Sequence, residues 1–270
     1  MRGVASLRRR GVSWNRSIGY VGDVLVHDME RNGRWLFRYR NHLPLVLVPL
    51  MAIAIRHSEG LERRFGGRAE GTWEVLCVAT MLVGLAVRCL VVGYCPPGTS
   101  GRNSRAQRAV SLNTRGMYSV LRHPLYLGNL LMLVGAISMI EVWWLLLVAV
   151  LGFHLYYERI IVAEEAFLAN RFGERYLAWA TVTPTYLPAP SRWKPPRSAF
   201  STKRVLAKET ATFAQLVVTV AVIDFACDWA VWGHTESGEV IFAAAAVCSL
   251  LLYAVVRAVR KNTRWLSTHA

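Results

Sequence analysis

Long apolar runs alternate with polar segments along the chain, and this pattern predicts a bundle of membrane-spanning helices. A helix needs about 20 residues to cross a bilayer. Several runs reach or approach that length, whereas one is shorter and is interrupted by Pro44 and Pro49. We therefore expect an all-α polytopic membrane protein with five or six transmembrane helices. The runs are His42–Ile55, Thr72–Tyr94, Pro124–Ile140, Val142–Val162, Thr212–Trp232 and Val240–Val256.

The third and fourth runs are separated by Glu141 alone, which predicts a helical hairpin with Glu141 near its far turn. Trp143 and Trp144 fit an aromatic belt at that membrane interface. A hairpin returns the chain to the face that it left. Polar residues on either side of the hairpin should therefore lie close together.

Two polar clusters flank the predicted hairpin. The first, at residues 113–129, carries Arg122 and His123 directly before the hairpin. The second, at residues 157–188, begins where the hairpin ends and carries Glu164 and Glu165. We expect Glu164–Trp179 to form an amphipathic surface helix, because its large apolar residues recur at helical spacing.

The alternation of segments suggests three parts. Residues 1–40 form a basic arm, in which Ser17–Glu30 is either a short interfacial helix or loosely ordered chain. Residues 41–190 form the membrane core that contains both polar clusters. Residues 191–270 form a proline-rich connector and two further membrane helices.

Composition supports a membrane protein, since 54% of the 270 residues are hydrophobic. The net charge of +15 could indicate nucleic acid binding, but basic loops facing anionic lipid explain it better. The basic segments fall on one side of a six-helix topology, which predicts a cytoplasmic location for them. The five cysteines form no CxxC pair, and we interpret them as small buried side chains rather than metal ligands.

Arg122 and His123 stand at the start of a helix opened by Pro124, where free N–H groups favour anions. With Glu164 and Glu165 nearby, a ligand with both an anionic and a cationic group would suit the clusters. The alternative is structural: Arg122 anchors to lipid phosphate, and the glutamates pair with arginines of their own segment.

Charged residues inside the apolar runs have their own interpretations. Arg88 should face the protein or extend to the membrane surface, and we expect it to pair with Asp224. His154 and Glu158, one turn apart, favour a local hydrogen bond over a metal site.

The segments GMYSVLRHPLYLGN and YYERIIVAEEAFLANRFGERYLAW, separated by a hairpin, resemble the isoprenylcysteine carboxyl methyltransferase family. That family belongs with the phospholipid methyltransferases in one membrane superfamily. The longer form of the first segment, from Thr99, is similar to a bacterial branch. The matching positions are Arg122, His123, Pro124, Tyr126, Glu164, Glu165, Phe172 and Tyr176.

The resemblance implies an S-adenosylmethionine-dependent methyltransferase of the bacterial inner membrane, with its site at the cytoplasmic face. Arg122 and His123 are the expected catalytic residues. The expected cofactor-binding residues are Tyr118, His123, Pro124, Tyr126, Glu164, Glu165, Phe172 and Tyr176. We expect a methyl acceptor with an anionic oxygen on a membrane lipid or lipid-linked molecule. A prenylcysteine carboxylate, and a nicotinamide-dependent reductase of the sterol-reductase type, remain open alternatives. Nucleic acid and resident metal are not expected.

Overall fold

The computed structural model describes residues 27–39, 43–56, 58, 65–96, 109–233 and 239–262. Within them the chain forms nine α-helices, a 3-10 turn at Pro190–Arg192 and no strand, so the all-α class is confirmed. Most of the predicted Ser17–Glu30 helix lies outside the described residues. The helices are α1 (27–39), α2 (Leu43–Ile55), α3 (Gly67–Tyr94), α4 (Met117–Val120), α5 (Pro124–Ser138), α6 (Trp143–Phe172), α7 (Glu174–Ala180), α8 (Thr202–Trp232) and α9 (Glu239–Asn262).

Four of these helices, α3, α6, α8 and α9, are long and apolar enough to cross a membrane. Helices α2 and α5 are apolar but have only 13 and 15 residues, fewer than the roughly 20 of a full span. Many large apolar side chains point outwards, among them Val46, Trp143 and Ile241 with exposed fractions of 68%, 76% and 71%. Such a surface needs lipid around it, which identifies the chain as an integral membrane protein.

The hairpin is confirmed. Helix α5 begins at Pro124, whose missing N–H is not needed in the first turn. Helices α5 and α6 are joined by a short turn in which Glu141 adopts a positive φ of 63°. The turn is closed by backbone hydrogen bonds from Ile140 to Ile137 and from Glu141 to Ser138, each of 3.1 Å.

The end of the hairpin differs from the prediction. Glu164 and Glu165 do not belong to a separate surface helix, because α6 continues without a break to Phe172. Residues 153–172 contain neither glycine nor proline, and the next glycine, Gly173, takes a φ of 53° and separates α6 from the short α7. The two glutamates are therefore held on the same rigid helix that spans the membrane.

Helices α3 and α5 make the most extensive contact in the bundle, and glycines bring them close together. A Cβ on Gly84 would lie 2.6 Å from the carbonyl oxygen of Gly128, and one on Gly135 would lie 2.5 Å from that of Cys77. Small residues at a helix crossing allow this approach in membrane proteins. The fully buried side chains of Met81, Ile137 and Leu145 lie in the adjoining core.

The terminal helices pack around this pair. Helix α1 lies on α6, where the Tyr156 hydroxyl donates a 2.7 Å hydrogen bond to the Leu36 carbonyl and Phe37 is buried. Helix α8 starts beside the end of α3, with a 3.0 Å backbone hydrogen bond from Ser201 to Gly93. Helix α9 packs mainly on α8. All five cysteines are free thiols, and Cys248 on α9 is exposed rather than buried.

Candidate functional site

Arg122 lies in a short extended segment between α4 and α5. Its backbone N–H donates to the Pro184 carbonyl at 2.9 Å, and its Nε donates to the Thr183 carbonyl at 2.7 Å. These two hydrogen bonds hold Arg122 against the segment that follows α7. The remaining edge of the guanidinium points at α6, where Nη1 donates to both carboxylate oxygens of Glu165 at 2.8 Å.

His123 is placed between the two glutamates of α6. Its Nε2 lies 3.1 Å from Oε1 of Glu165, and its Nδ1 lies 3.4 Å from Oε2 of Glu164. Burial alone would lower the pKa of His123, but the hydrogen bonds and charges of Glu164 and Glu165 outweigh it and raise that pKa above its ordinary value. The imidazole therefore keeps its proton to a higher pH than an isolated histidine.

Aromatic side chains surround this charged cluster. The ring of Tyr126 is stacked parallel to that of His123, with centroids 5.5 Å apart. Tyr118 lies on α4, and its carbonyl accepts a 3.2 Å hydrogen bond from Trp179. The Tyr176 hydroxyl is buried beside Arg122 and Glu165 but makes no hydrogen bond of normal geometry within the described chain. Its burial, with the charge of Glu165, raises the pKa of Tyr176 well above its ordinary value.

The structure thus brings together most of the residues expected to form the site. Pro124 starts α5 immediately after His123 and is fully buried. Phe172 lies outside the cluster, at the end of α6, where the Cζ of Arg171 is 5.8 Å from the centroid of its ring. Glu165, Phe172 and Tyr176 do not line the cavity described below, although Glu165 contacts Arg122 and His123.

The proline-rich chain that follows α7, residues 183–196, packs on the segment that carries Arg122 and His123, a role that its sequence does not indicate. Gly116 donates to the Lys194 carbonyl at 2.9 Å, and Ala189 donates to the Val120 carbonyl at 3.1 Å. The backbone N–H of Lys194 donates in turn to Ser119 Oγ at 2.9 Å. Residues 183–196 therefore hold the first polar cluster against α6.

A cavity of about 1320 Å³ opens from this cluster into the bundle. Its walls are mostly apolar, whereas its polar end contains His123 and Glu164. Among the described residues, no group of three or more His, Cys, Asp or Glu side chains is arranged to hold a metal ion. The cavity is lined by residues of several helices, including Phe37, Leu47, Met51, Met132, Ile137, Phe153 and Ile223.

A second charged group, which sequence reasoning missed, lies deeper in the same cavity. Arg88 donates from Nε and Nη2 to Glu209 at 2.9 and 3.1 Å, so the predicted pairing with Asp224 is wrong. Arg88 also donates to the Asn129 amide, which donates to the Tyr157 hydroxyl at 3.0 Å. Glu209 stands in the polar stretch before the predicted apolar run, but α8 begins at Thr202 and includes it, and its side chain is buried.

Comparison with known proteins bears on the segment that contains both motifs. Residues 76–175 match the family model for phospholipid methyltransferases. The cobalt-zinc-cadmium resistance protein CzcN of Cupriavidus metallidurans is 34% identical over 128 residues, which are 47% of this chain and 56% of that protein. The nickel-cobalt-cadmium resistance protein NccN of Alcaligenes xylosoxydans xylosoxydans is 33% identical over 147 residues, 53% of this chain and 61% of that protein.

The chain thus spans less than two thirds of the length of these relatives. No solved structure matches it significantly. The Arg122–His123 and Glu164–Glu165 pairs both fall inside the segment that matches the family model, so the resemblance expected from the motifs is confirmed there. Residues 76–175 of this integral membrane protein are thus similar to phospholipid methyltransferases.

Proposed function

We propose that the protein is an S-adenosylmethionine-dependent methyltransferase that acts on an anionic oxygen of a membrane lipid or lipid-linked molecule. The observation that carries the proposal is the cluster of Arg122, His123, Glu164 and Glu165 at the polar end of an apolar cavity. The site would face the cytoplasm of the bacterial inner membrane, because the positive-inside rule, applied to the basic segments of the sequence, predicts that orientation. The three-part division at residues 40 and 190 remains a prediction.

The chemistry of the donor set fits the cofactor. Its amino acid part carries a carboxylate and an ammonium group, and the cluster offers a guanidinium and two carboxylates within one small volume. The buried Tyr176 hydroxyl, which lacks a normal hydrogen bond in the described chain, is a further polar group for it. Arg122, Glu164, Glu165 and Tyr176 would hold the cofactor, which supplies an electrophilic methyl group on a sulfonium.

The surroundings of His123 favour an anionic oxygen as acceptor over an amine. An amine must lose a proton before it can attack. The imidazole that could accept this proton is held between the carboxylates of Glu164 and Glu165, which favour its protonated form. An anionic oxygen would need no base, because it could take the methyl group of the sulfonium directly, with the electron pair of the broken C–S bond left on sulfur. The chain would then contribute mainly positioning and exclusion of water.

The apolar cavity favours an acceptor with a hydrocarbon part. A prenylcysteine carboxylate also combines an anionic oxygen with an apolar chain, so the cavity alone does not distinguish it from a lipid. The two acceptors must therefore be distinguished by an experiment that shows which molecule receives a labelled methyl group.

The names of the relatives suggest a physiological consequence. Both are called metal resistance proteins. Esterifying a headgroup oxygen removes a negative charge and an anionic ligand that divalent cations prefer. We propose that methylation reduces the binding of divalent metal ions at the membrane surface. Zinc or cadmium binding to vesicles made from lipids of expressing and non-expressing cells would measure this, and equal binding would contradict it.

The central experiment is to incubate membranes containing the full chain with radiolabelled S-adenosylmethionine. We expect label in a lipid that extracts into organic solvent and survives protease. The Arg122→Ala variant should incorporate none, whereas Arg171→Ala, which removes an exposed arginine outside the cavity, should match wild type. Label that stays with protein and is released as methanol by mild base would indicate a prenylcysteine ester instead. Absence of label with every membrane extract would refute the methyltransferase proposal.

A further inference from the structure

Two arginines of the last helix line the same cavity as His123. Arg257 and Arg260 lie near the C-terminal end of α9, outside the segment that matches the family model. Arg260 reaches across to α8, where its Nη1 donates to the Ala207 carbonyl at 3.0 Å. Arg257 donates to the Tyr253 hydroxyl at 3.1 Å. The C-terminal helices therefore contribute charge to the candidate site.

These two arginines differ from those deeper in the cavity. The charges of Arg88 and Arg122 are each neutralised by a glutamate at 2.8 to 2.9 Å. Arg257 and Arg260 contact only neutral acceptors and form no ion pair within the described part of the chain. Among the described residues, this part of the cavity lining, which we call its mouth, thus carries two arginines that no carboxylate contacts.

The residues that precede these arginines on α9 indicate what kind of molecule the mouth would accept. Leu250, Tyr253 and Val256 line the cavity together with Arg257 and Arg260. Their spacing of three or four positions places them on one face of the helix. This face of α9 is apolar along most of its length and cationic at its end. It is therefore complementary to a lipid, which has apolar chains and an anionic headgroup. Leu250 is 49% exposed, compared with 61% and 59% for the flanking residues Leu251 and Val255.

We infer that Arg257 and Arg260 form the headgroup subsite for the methyl acceptor, and that the acceptor is a lipid whose phosphate headgroup carries a net negative charge. This inference rests on the proposed function. Guanidinium groups bind phosphate through paired hydrogen bonds, and the apolar face below them would hold the lipid chain. The subsite selects the acceptor, whereas the cluster around Arg122 holds the cofactor.

The test uses the purified full chain in detergent and compares two lipids with identical acyl chains, phosphatidic acid and phosphatidylcholine. Native mass spectrometry measures their binding. Wild type should prefer phosphatidic acid, and the Arg257→Gln/Arg260→Gln double variant should bind it roughly tenfold more weakly or worse, because two favourable charges are lost. The control is Lys203→Gln/Lys261→Gln, which removes the same charge from exposed positions outside the cavity lining.

The same variants are compared in the methylation assay, with lipid extract that wild type labels. The double variant should raise the KM for lipid by about tenfold or more and leave kcat and the affinity for S-adenosylhomocysteine within about twofold. The inference is overturned if the double variant keeps its KM and its lipid preference, or if the control loses both equally. It is also overturned if glycerol phosphate competes as well as phosphatidic acid, since the ligand would then be a soluble phosphate. Retained lipid preference in a wild-type protein that transfers no methyl group would instead refute the proposed function.

Discussion

The interaction between Glu165 and its two partners can be tested by its pH dependence. In the Glu165→Gln variant, Arg122 loses a carboxylate that it contacts through two 2.8 Å hydrogen bonds, and His123 loses its 3.1 Å partner. The side chains of Arg122 and Glu165 are 20% and 24% exposed, so water screens part of the loss. We expect a destabilisation of about 1–3 kcal/mol, the usual range for a hydrogen bond to a charged group.

Part of this loss should depend on pH with a definite sign. The folded protein raises the pKa of His123, so this group stabilises the fold fully below its unfolded pKa of about 6.5. That contribution disappears as the pH rises through the folded pKa. The difference in stability between wild type and Glu165→Gln should therefore be largest near pH 6 and shrink towards pH 9. The difference that remains at pH 9 should come from the lost contact between Arg122 and Glu165.

Thermal unfolding in detergent from pH 6 to 9 measures this difference. Glu174→Gln is the matched control, because Glu174 is exposed at the start of α7 and its replacement should change stability little at any pH. A difference that is constant over this range, or that grows with pH, would refute the role assigned to His123. Titration of the His123 ring by NMR should show directly that the pKa of His123 is lower in Glu165→Gln than in the wild type.

Three further predictions follow from the same contacts. Arg122→Ala should remove the thermal stabilisation by S-adenosylhomocysteine, with roughly 30-fold or greater loss of affinity, whereas Arg171→Ala should keep it; equal binding by both variants would place the cofactor elsewhere. Glu209→Gln should cost about 3–5 kcal/mol in an unfolding titration, because it leaves a buried arginine unpaired; a cost below about 1 kcal/mol would contradict a buried ion pair. Gly84→Ala should destabilise by about 1–3 kcal/mol, since the new Cβ would lie 2.6 Å from a backbone oxygen of the neighbouring helix; Gly152→Ala, where nothing lies within 4 Å, should be neutral.

The hairpin and the meeting of its two polar clusters could be predicted from the sequence. Two apolar runs separated by Glu141 have few alternatives to a hairpin, and a hairpin must return the chain to its starting face. The proximity of Arg122 to Glu164 and Glu165 follows from that geometry. Their direct contact through Glu165 was not predicted, because the sequence suggested either a ligand between the clusters or pairing of the glutamates with arginines of their own segment. The contact of Arg122 with Thr183 could not be predicted in this way, because it uses a backbone carbonyl, which every residue has.

The Arg88–Glu209 pair was missed for a different reason. Hydropathy shows where an apolar run begins but not which polar residues the protein itself buries. Glu209 lies in α8 before the predicted start of its membrane run at Thr212, and its side chain is only 2% exposed. Asp224 seemed the better partner because it lies within that run. Which carboxylate meets an intramembrane arginine depends on the relative depth and rotation of two helices, and neither is encoded in local periodicity.

This ion pair also indicates how the two halves of the site depend on each other. Arg88 lies inside the segment that matches the family model, whereas Glu209 lies outside it. Without α8, Arg88 would be a charge in an apolar bundle without its carboxylate, which is strongly unfavourable. The matched segment therefore requires the C-terminal helices for its own stability, although they carry none of its motifs. Those helices also bring Arg257 and Arg260 to the cavity. Under the proposed function, the matched segment would hold the cofactor and the C-terminal helices would determine which acceptor binds.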